Sequence, residues 1–286
     1  MKHFLSIDQG TTSSRAVVFN NNLESVSSSQ EEYDLTYPKN GWVEVDPKNI
    51  LDTVMRSIDN LNINENLTIE SCGITNQRET TILWEKESGS PIYPGIVWQD
   101  RRTIDFCMDL KELGHEPTIR KKTGLMLDPY FSATKIKWIL DNVPGSRERA
   151  ANGEIMFGTV DSYLIYNLTK EKNHLTDITN ASRTSLFNIE KEEWDGELLK
   201  LFDIPIQMLP RVCDCDADFG TISVGSQEVK ITGVIGDQQS ALVGQRCFSS
   251  GQMKSTFGTG CFLMVNTKDN ILYVKEGLLS TVGYKL

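Results

Sequence analysis

Apolar and polar positions alternate over the first 45 residues and then change period. FLSID (4–8), RAVVFN (15–20) and LESVSSSQEEYDL (23–35) read as three consecutive strands, with the asparagine run at 20–22 as the tight turn between the second and third. Asp46-Pro47 opens a helix, aspartate as N-cap and proline at the first helical position, and Ile50, Leu51, Val54, Ile58 and Leu61 share one of its faces. A buried strand follows in TIESCGIT (68–75), then an antiparallel pair, TTILWEK (80–86) and IYPGIVWQ (92–99), around the ESGSP turn. Three strands, a helix and a strand form the start of a mixed sheet with helices packed on it, an α/β arrangement.

The middle of the chain has helical spacing. DRRTIDFCMDLKELG (100–114) places Ile104, Cys107, Met108 and Leu113 in one stripe and closes on Gly114. SATKIKWILDN (132–142) and SRERAANGE (146–154) begin with serine caps, and IMFGTVDSYLIYNLT (155–169) reads as a strand and then a helix capped by Asp161. Toward the end, VKITGVIGDQQSALVGQ (229–245) is a strand running through Gly236-Asp237 into a short helix. MKSTFGTGCFLMV (253–265) then echoes the opening FLSIDQGTTSSRAVVF: strand, Gly-Thr turn, strand.

A length of 286 residues fits one large domain or two modest ones. The formal net charge of −10 argues against nucleic acid or an anionic membrane surface as a main partner, though not against a phosphate held locally by backbone N–H groups and an arginine. No run approaches the ~18 apolar residues of a membrane span, and Met1–Leu5 is too short and polar for a signal core, so the expected location is cytoplasmic. The six cysteines lack C-x-x-C spacing, and the Cys213/Cys215 pair is expected to stay reduced. With three histidines and no metal-ligand spacing among them, histidine chemistry has little support.

The turn DQGTTSSR (8–15) holds one carboxylate, one glycine, four hydroxyls and an arginine. It is not a Walker A loop, because no GK[ST] follows and the next element is a strand. Such a turn can bind phosphate as a helix N-terminus does: successive N–H groups point into a concavity, glycine permits close approach and the hydroxyls add donors. Two such hairpins facing each other would grip a polyphosphate from both sides. An aspartate at the end of the first strand would reach a magnesium ion on those phosphates through water.

Nine strings in order along the chain carry a resemblance: DQGTTSSRAVVF, YPKNGWVEVDP, GITNQRETTILWEK, PIYPGIVWQ, TGLMLDPYFSATKIKWIL, FGTVDSYLIYNLT, TNASRTSLFNI, IGDQQSALVGQ and TFGTGCFLMVNT. The chain resembles the FGGY family of carbohydrate kinases, and within it the members that phosphorylate glycerol. The resemblance implies an actin/Hsp70/sugar-kinase-like (RNase H-like) fold, a mixed sheet flanked by helices. It implies ATP-dependent conversion of glycerol to sn-glycerol 3-phosphate with ATP and Mg2+, and ADP as the other product. Another sugar or polyol kinase of the family, and a non-catalytic polyol-binding module derived from one, stand as alternatives. A homo-oligomer is compatible with all three.

Carried over residue by residue, the resemblance makes Arg78, Glu79, Trp98, Tyr130, Asp237, Gln238 and Phe262 the substrate-binding set. Asp237 is the general base, Asp8 and Asp237 are the metal-side carboxylates, and Thr11, Thr12, Ser13, Arg15 and Thr259 hold the phosphates of ATP. Asp237 is also placed to be the helix N-cap to QQSALVGQ, a role compatible with the catalytic one. Residues 1–247 correspond to the family's N-terminal domain and 248–286 to the first strands of its second. A chain ending there is expected to be truncated, without an adenosine pocket, and inactive by itself. Regulated bacterial members carry a glycine- and arginine-rich effector loop for fructose 1,6-bisphosphate before GDQQ; the matching stretch here, SVGSQEVKITG, has a glutamate and no arginine, so that control is not expected.

Overall fold

Inward-facing Leu5 and Ile7 alternate with Ser6 and Asp8 on the first strand, and this two-residue period sets the sheet that organises the molecule. The computed structural model describes residues 2–63, 67–258, 260–273 and 277–286. In chain order the elements are β1 (His3–Gln9), β2 (Ser13–Asn20), β3 (Ser25–Glu32), β4 (Glu44–Val45), α1 (Pro47–Asp59), β5 (Ile69–Asn76), β6 (Ile82–Glu85) and β7 (Gly95–Ile96). Then come α2 (Ile104–Glu112), α3 (Glu116–Thr123), α4 (Ser132–Asn142), α5 (Ser146–Ala151), β8 (Ile155–Gly158), α6 (Val160–Leu168), β9 (Leu175–Asp177) and α7 (Ile178–Ala181). The last are β10 (Phe187–Asn188), β11 (Glu193–Trp194), α8 (Gly196–Phe202), a 3-10 turn (Ile206–Met208), β12 (Arg211–Cys213), β13 (Gly220–Val224), β14 (Gln227–Gly236), α9 (Asp237–Gly244), β15 (Met253–Phe257) and β16 (Cys261–Val265).

The central sheet has the order β13-β14-β5-β1-β2-β3. β14, β5 and β1 run parallel, β13 and β2 run antiparallel to them, and β3 runs antiparallel to β2, giving the expected mixed sheet. Its inner face is filled by Leu5, Ile7, Ala16, Val18, Cys72, Ile74 and Ile231, packed with Val54 and Ile58 of α1 and Tyr163 and Leu164 of α6. Asp46 caps α1 as expected, accepting from the Lys48 N–H at 2.9 Å. A second core lies between β6–β8 and the helices α4 and α8, around Leu83, Phe157, Ile136, Ile139, Leu198 and Phe202.

Register places the functional edge. Gln9, Asn76 and Gly236, the last residues of the three parallel strands, lie side by side. The segments that follow them, 10–12, 77–79 and the start of α9, therefore emerge together at the carboxyl end of the sheet, where open α/β sheets bind ligands. On the face opposite α1, Asp8 lies beside Thr75, whose hydroxyl donates to Ser240 of α9 at 2.9 Å.

Four local expectations are corrected. β6 forms its ladder with β8; the expected antiparallel partner, the 91–99 segment, meets 80–86 only in part, at the antiparallel bridges Thr81–Ile96 and Trp84–Pro91 and through the Ile92 N–H donating to Leu83 O at 3.0 Å, while β7 pairs with β4. Long-range partners outcompete the short ESGSP turn. In α2 the buried positions are Cys107 and Leu110, whereas Ile104, Met108 and Leu113 are exposed; the helix turns its other side to the core. Ser132 and Ser146 are first helical residues rather than caps, and their hydroxyls donate to the carbonyls of Glu79 (3.0 Å) and Leu140 (3.1 Å). Asp161 is also inside its helix, fully buried, with hydroxyl donors Thr159 and Thr176; the N-cap position is Thr159.

The β15–β16 hairpin is a separate two-stranded sheet, as its pattern predicts. Residues 278–286 return to the main body: Ser280 N–H donates to Gly124 O (3.0 Å), Cys215 N–H donates to Lys285 O (2.8 Å), and Gln239 Nε2 donates to Val282 O (3.2 Å).

Candidate active site

The turn between β1 and β2 is closed by the Gly10 N–H donating to Ser13 O at 2.8 Å. A buried polar cluster ties it to the end of β5. The Gln77 N–H donates to Gln9 O (2.7 Å), and its side-chain amide donates to Gln9 Oε1 (3.1 Å) and Gly10 O (3.0 Å). Tyr33 adds a further donor to Gly10 O at 2.6 Å, and burial pushes its phenol pKa up. A fully bonded network of this kind fixes the turn relative to the strand ends.

Beyond Gln77 the chain leaves ordinary backbone. Glu79 is 1% exposed and has φ of 62°, the left-handed region that non-glycine residues rarely occupy. Its carbonyl is held there by the hydroxyls of Thr81 (3.1 Å) and Ser132 (3.0 Å). Strain retained at a site by surrounding bonds is a mark of functional geometry. The Glu79 carboxylate accepts from Arg183 Nε at 2.6 Å, both side chains being almost wholly buried.

Arg78 points the other way. Its Nε lies 3.2 Å from Asp237 Oδ1, and its Nη1 donates to Gln239 Oε1 at 3.1 Å. This path exists because residue 236 is glycine: a Cβ there would sit 2.8 Å from Arg78 Cδ. Burial opposes the Arg78 charge, but Glu79 and Asp237 outweigh it and raise its pKa. Asp237 is the first residue of α9 and accepts from the Gln238 N–H at 2.6 Å; the N-cap position itself is Gly236. Burial raises the Asp237 pKa, partly offset by Arg78, and burial likewise raises that of Asp8, which Arg15 lowers and Asp237 raises further.

Arg78, Glu79 and Asp237 open into a cavity of about 150 Å3, with Thr11, Gln77, Trp98, Tyr130, Gln238, Thr256, Gly258, Gly260 and Phe262. Trp98 meets Tyr130 edge-on at 5.6 Å and Phe262 at 6.3 Å, and the Arg78 guanidinium lies 5.7 Å over the Phe262 ring. The Trp98 indole donates to Thr11 Oγ1 at 3.0 Å, joining the aromatic wall to the first hairpin turn. One side of the cavity is thus apolar and flat, and the other carries an arginine, two carboxylates and an amide.

The seven expected substrate residues therefore come together, with Thr11 beside them. Asp8, Thr12, Ser13 and Arg15 do not line the cavity; they lie along the adjoining β1–β2 hairpin, where Asp8 and Arg15 are cross-strand partners and Arg15 Nε donates to Gln30 Oε1. Thr259 lies outside the described residues. Sequence reasoning missed Gln77, Thr256, Gln239, Lys254 and Arg183. Gln77 precedes Arg78 in the string already singled out, and Thr256 follows from the two-residue period of β15. Lys254 is buried beside Thr256; its ammonium donates to Gln238 Oε1 and, at 2.8 Å, to Thr256 Oγ1, and burial lowers its pKa. With Oε1 occupied, the Gln238 amide presents its nitrogen to Asp237 Oδ2 at 3.2 Å. Arg183 lies in the TNASRTSLFNI string, but nothing local ties it to the site, since its carboxylate partner is 104 residues away.

The sheet order and the cavity at the carboxyl ends of its parallel strands define a domain with the actin-like fold of sugar kinases. The family model for the N-terminal domain of the FGGY family of carbohydrate kinases matches residues 3–244, and the chain belongs to that family. It is 52% identical to a glycerol kinase of Cereibacter sphaeroides and 52% identical to glycerol kinase 1 of Pseudomonas aeruginosa, in each case over 100% of this chain and 59% of the relative. The crystal structure of Plasmodium falciparum glycerol kinase with ADP superposes with a TM-score of 0.94 at 36% identity, covering 100% of this chain and 58% of that one. A gluconate kinase from Lactobacillus acidophilus gives 0.83 at 25% identity, covering 92% of this chain and 53% of its own. The chain thus spans somewhat under two thirds of the length of the relatives it matches.

Proposed function

We propose that this chain forms the polyol- and phosphate-binding part of a kinase that transfers the γ-phosphoryl group of ATP to a terminal hydroxyl of glycerol, yielding sn-glycerol 3-phosphate and ADP. The observation that carries this reading is the single cavity in which the Arg78–Asp237 pair and Glu79 face the wall of Trp98, Tyr130 and Phe262. Each hydroxyl of a small polyol both donates and accepts, so it needs acceptors and donors together, here carboxylates, a guanidinium and an amide. The carbon skeleton lies against the aromatic wall. Likeness to relatives named glycerol kinase supports the choice of polyol.

In this reading Arg78, Glu79 and Gln238 orient the polyol, and Asp237 accepts the proton of the attacking hydroxyl. Burial raises the proton affinity of that carboxylate, as a base requires. Thr11, Thr12, Ser13, Arg15 and Thr259 would hold the phosphates from the two hairpins. Asp8 and Asp237 fit a magnesium ion: both are partly buried carboxylates, the charge of Asp237 raises the proton affinity of Asp8, and a cation would relieve that repulsion. Among the described residues no group of three or more acidic, histidine or cysteine ligands is present, which suits an ion held mainly by phosphates and water. When bound, magnesium supplies charge neutralisation on the phosphates. We assign residues 1–247 to the N-terminal unit and the hairpin after it to the second. The reaction belongs in the cytoplasm, a setting that six free thiols fit; no helix among the described residues is long and apolar enough to cross a membrane.

Calorimetric titration with glycerol, xylulose and gluconate tests the assignment. Glycerol should bind, and the two larger compounds should bind at least about tenfold more weakly. Equal affinity for all three, or preference for a sugar, overturns the glycerol reading.

A further inference from the structure

Arg78, Glu79 and Asp237 line the cavity and Arg183 lies behind them, and the pairing of these two arginines and two carboxylates is not the one that sequence adjacency suggests. Glu79 follows Arg78 in the chain, yet the two make no ion pair within 4 Å; Arg78 reaches Asp237, and Glu79 is taken by Arg183. Glu79 is nonetheless a competitor for Arg78, because its charge acts on that guanidinium ahead of Asp237. The Glu79 backbone is held by two hydroxyl donors, which leaves the carboxylate's choice of partner as the open variable. Arg183 itself is 4% exposed, and its guanidinium lies 5.1 Å over the Phe131 ring and 5.8 Å over that of Tyr130. It is thereby fixed against the wall that Tyr130 contributes to the cavity.

We propose that Arg183 is a positioning residue that occupies the Glu79 carboxylate and so keeps Arg78 committed to Asp237. This rests on the reading of the cavity as a polyol site. Arg183 does not line the cavity, so it acts through Glu79 and Tyr130. Without it, a buried carboxylate would be left unpaired, a state costly enough to draw in the nearest mobile cation. Glu79 acts on two such cations, Arg78 and Lys135; Lys135 is held by the carbonyls of Tyr130 and Phe131, which leaves Arg78 as the one drawn in. Asp237 would then lose its partner, with Asp8, Glu79, Lys254 and Tyr130 as the remaining titratable neighbours. Lys254 is itself held by Gln238 and Thr256.

The test compares R183M with the double variant R183M/E79Q, following the Arg78 Nε–H resonance by 15N NMR in the absence of ligand. In R183M the resonance should move away from its wild-type position. In the double variant, which leaves no carboxylate at 79 to compete, it should return. R183Q, which can still donate one hydrogen bond to Glu79 without a charge, replaces R183M if that variant fails to fold, and it carries the same expectations. Glycerol affinity, measured in parallel, should fall at least about tenfold in the single variant, the loss of a charged hydrogen bond. An Arg78 resonance unmoved in the folded single variant, or single and double variants that give the same spectrum, overturns the proposal. Because the resonance is read without ligand, a wild-type chain that fails to bind glycerol would count against the functional reading and leave this comparison intact.

Discussion

Arg78 Nε stands 3.2 Å from Asp237 Oδ1, across 159 residues of sequence, and the pair joins the segment after β5 to the first turn of α9. Removing the carboxylate's charge while keeping its shape is the most direct test of what it does. In a chain carrying the family's complete second domain, Asp237→Asn keeps a hydrogen-bond acceptor but cannot take a proton, so ATP-dependent ADP release should fall about 10²–10⁴-fold while glycerol binding stays measurable by calorimetry. A variant with near-normal turnover would exclude Asp237 as base.

The raised proton affinity of Asp237 gives the acid side of the rate profile its sign. The base works only when deprotonated, so activity should be lost as pH falls, starting at a higher pH than an ordinary aspartate would give. The pH dependence of kcat/KM for glycerol, read in a chain carrying the complete second domain, measures this directly. A profile flat down to the ordinary aspartate range would count against burial as the controlling influence.

Gly236→Ala places a methyl group 2.8 Å from Arg78 Cδ and 3.0 Å from Gln239 Oε1. The backbone at 236 is also fixed by its N–H donating to Thr179 Oγ1 at 2.9 Å, so it cannot easily retreat. Overpacking of this kind costs about 1–3 kcal/mol, and the displaced arginine should weaken glycerol binding as well. Chemical melts and calorimetry on the same sample separate the two effects; unchanged binding would mean that Arg78 has another route to Asp237.

Arg78→Ala should weaken glycerol binding by about 1.5–3 kcal/mol, the range for hydrogen bonds to charged groups. Glu79 keeps its own cation, Arg183, in that variant. Arg149 is the control: its pairs with Glu85 and Glu154 lie at the surface, where solvent screens them. Arg149→Ala should leave binding untouched, and similar losses in the two variants would contradict the site.

Asp161 is fully buried, and burial pushes its pKa up to about 7, with Asp177 adding to the rise and the Thr159 and Thr176 hydroxyls opposing it. A carboxyl whose folded pKa exceeds its unfolded value stabilises the fold at low pH and loses that contribution as pH rises through the folded value. The window therefore runs from about 4 to about 7. Urea melts at pH 5 and pH 8 should show a smaller loss of stability on going to pH 8 for Asp161→Asn than for the wild-type chain. Equal losses would place the titration elsewhere.

Much of this molecule was legible from local pattern. The strands around 4–8, 15–20 and 68–75, the Asp46-capped helix and the two Gly-Thr hairpins follow from periodicity and turn chemistry, because those signals lie within a few residues of one another. The resemblance carried the substrate set as well, and Arg78, Glu79, Trp98, Tyr130, Asp237, Gln238 and Phe262 do line one cavity. Pattern could not say which side of an amphipathic helix faces inward when both sides carry apolar residues, as in α2. Nor could it tell that the best partner of β6 is β8, some 70 residues on, rather than the next strand. The ion pairs were hidden for the same reason. Arg78 and Glu79 look like a pair in the sequence, yet register brings the ends of β5 and β14 together and gives Arg78 to Asp237. The approach of Arg183 gives Glu79 a cation of its own. Periodicity along a chain specifies which face of an element is apolar, but only the packing of distant elements decides which charge meets which, since the strength of an ion pair depends on separation in space.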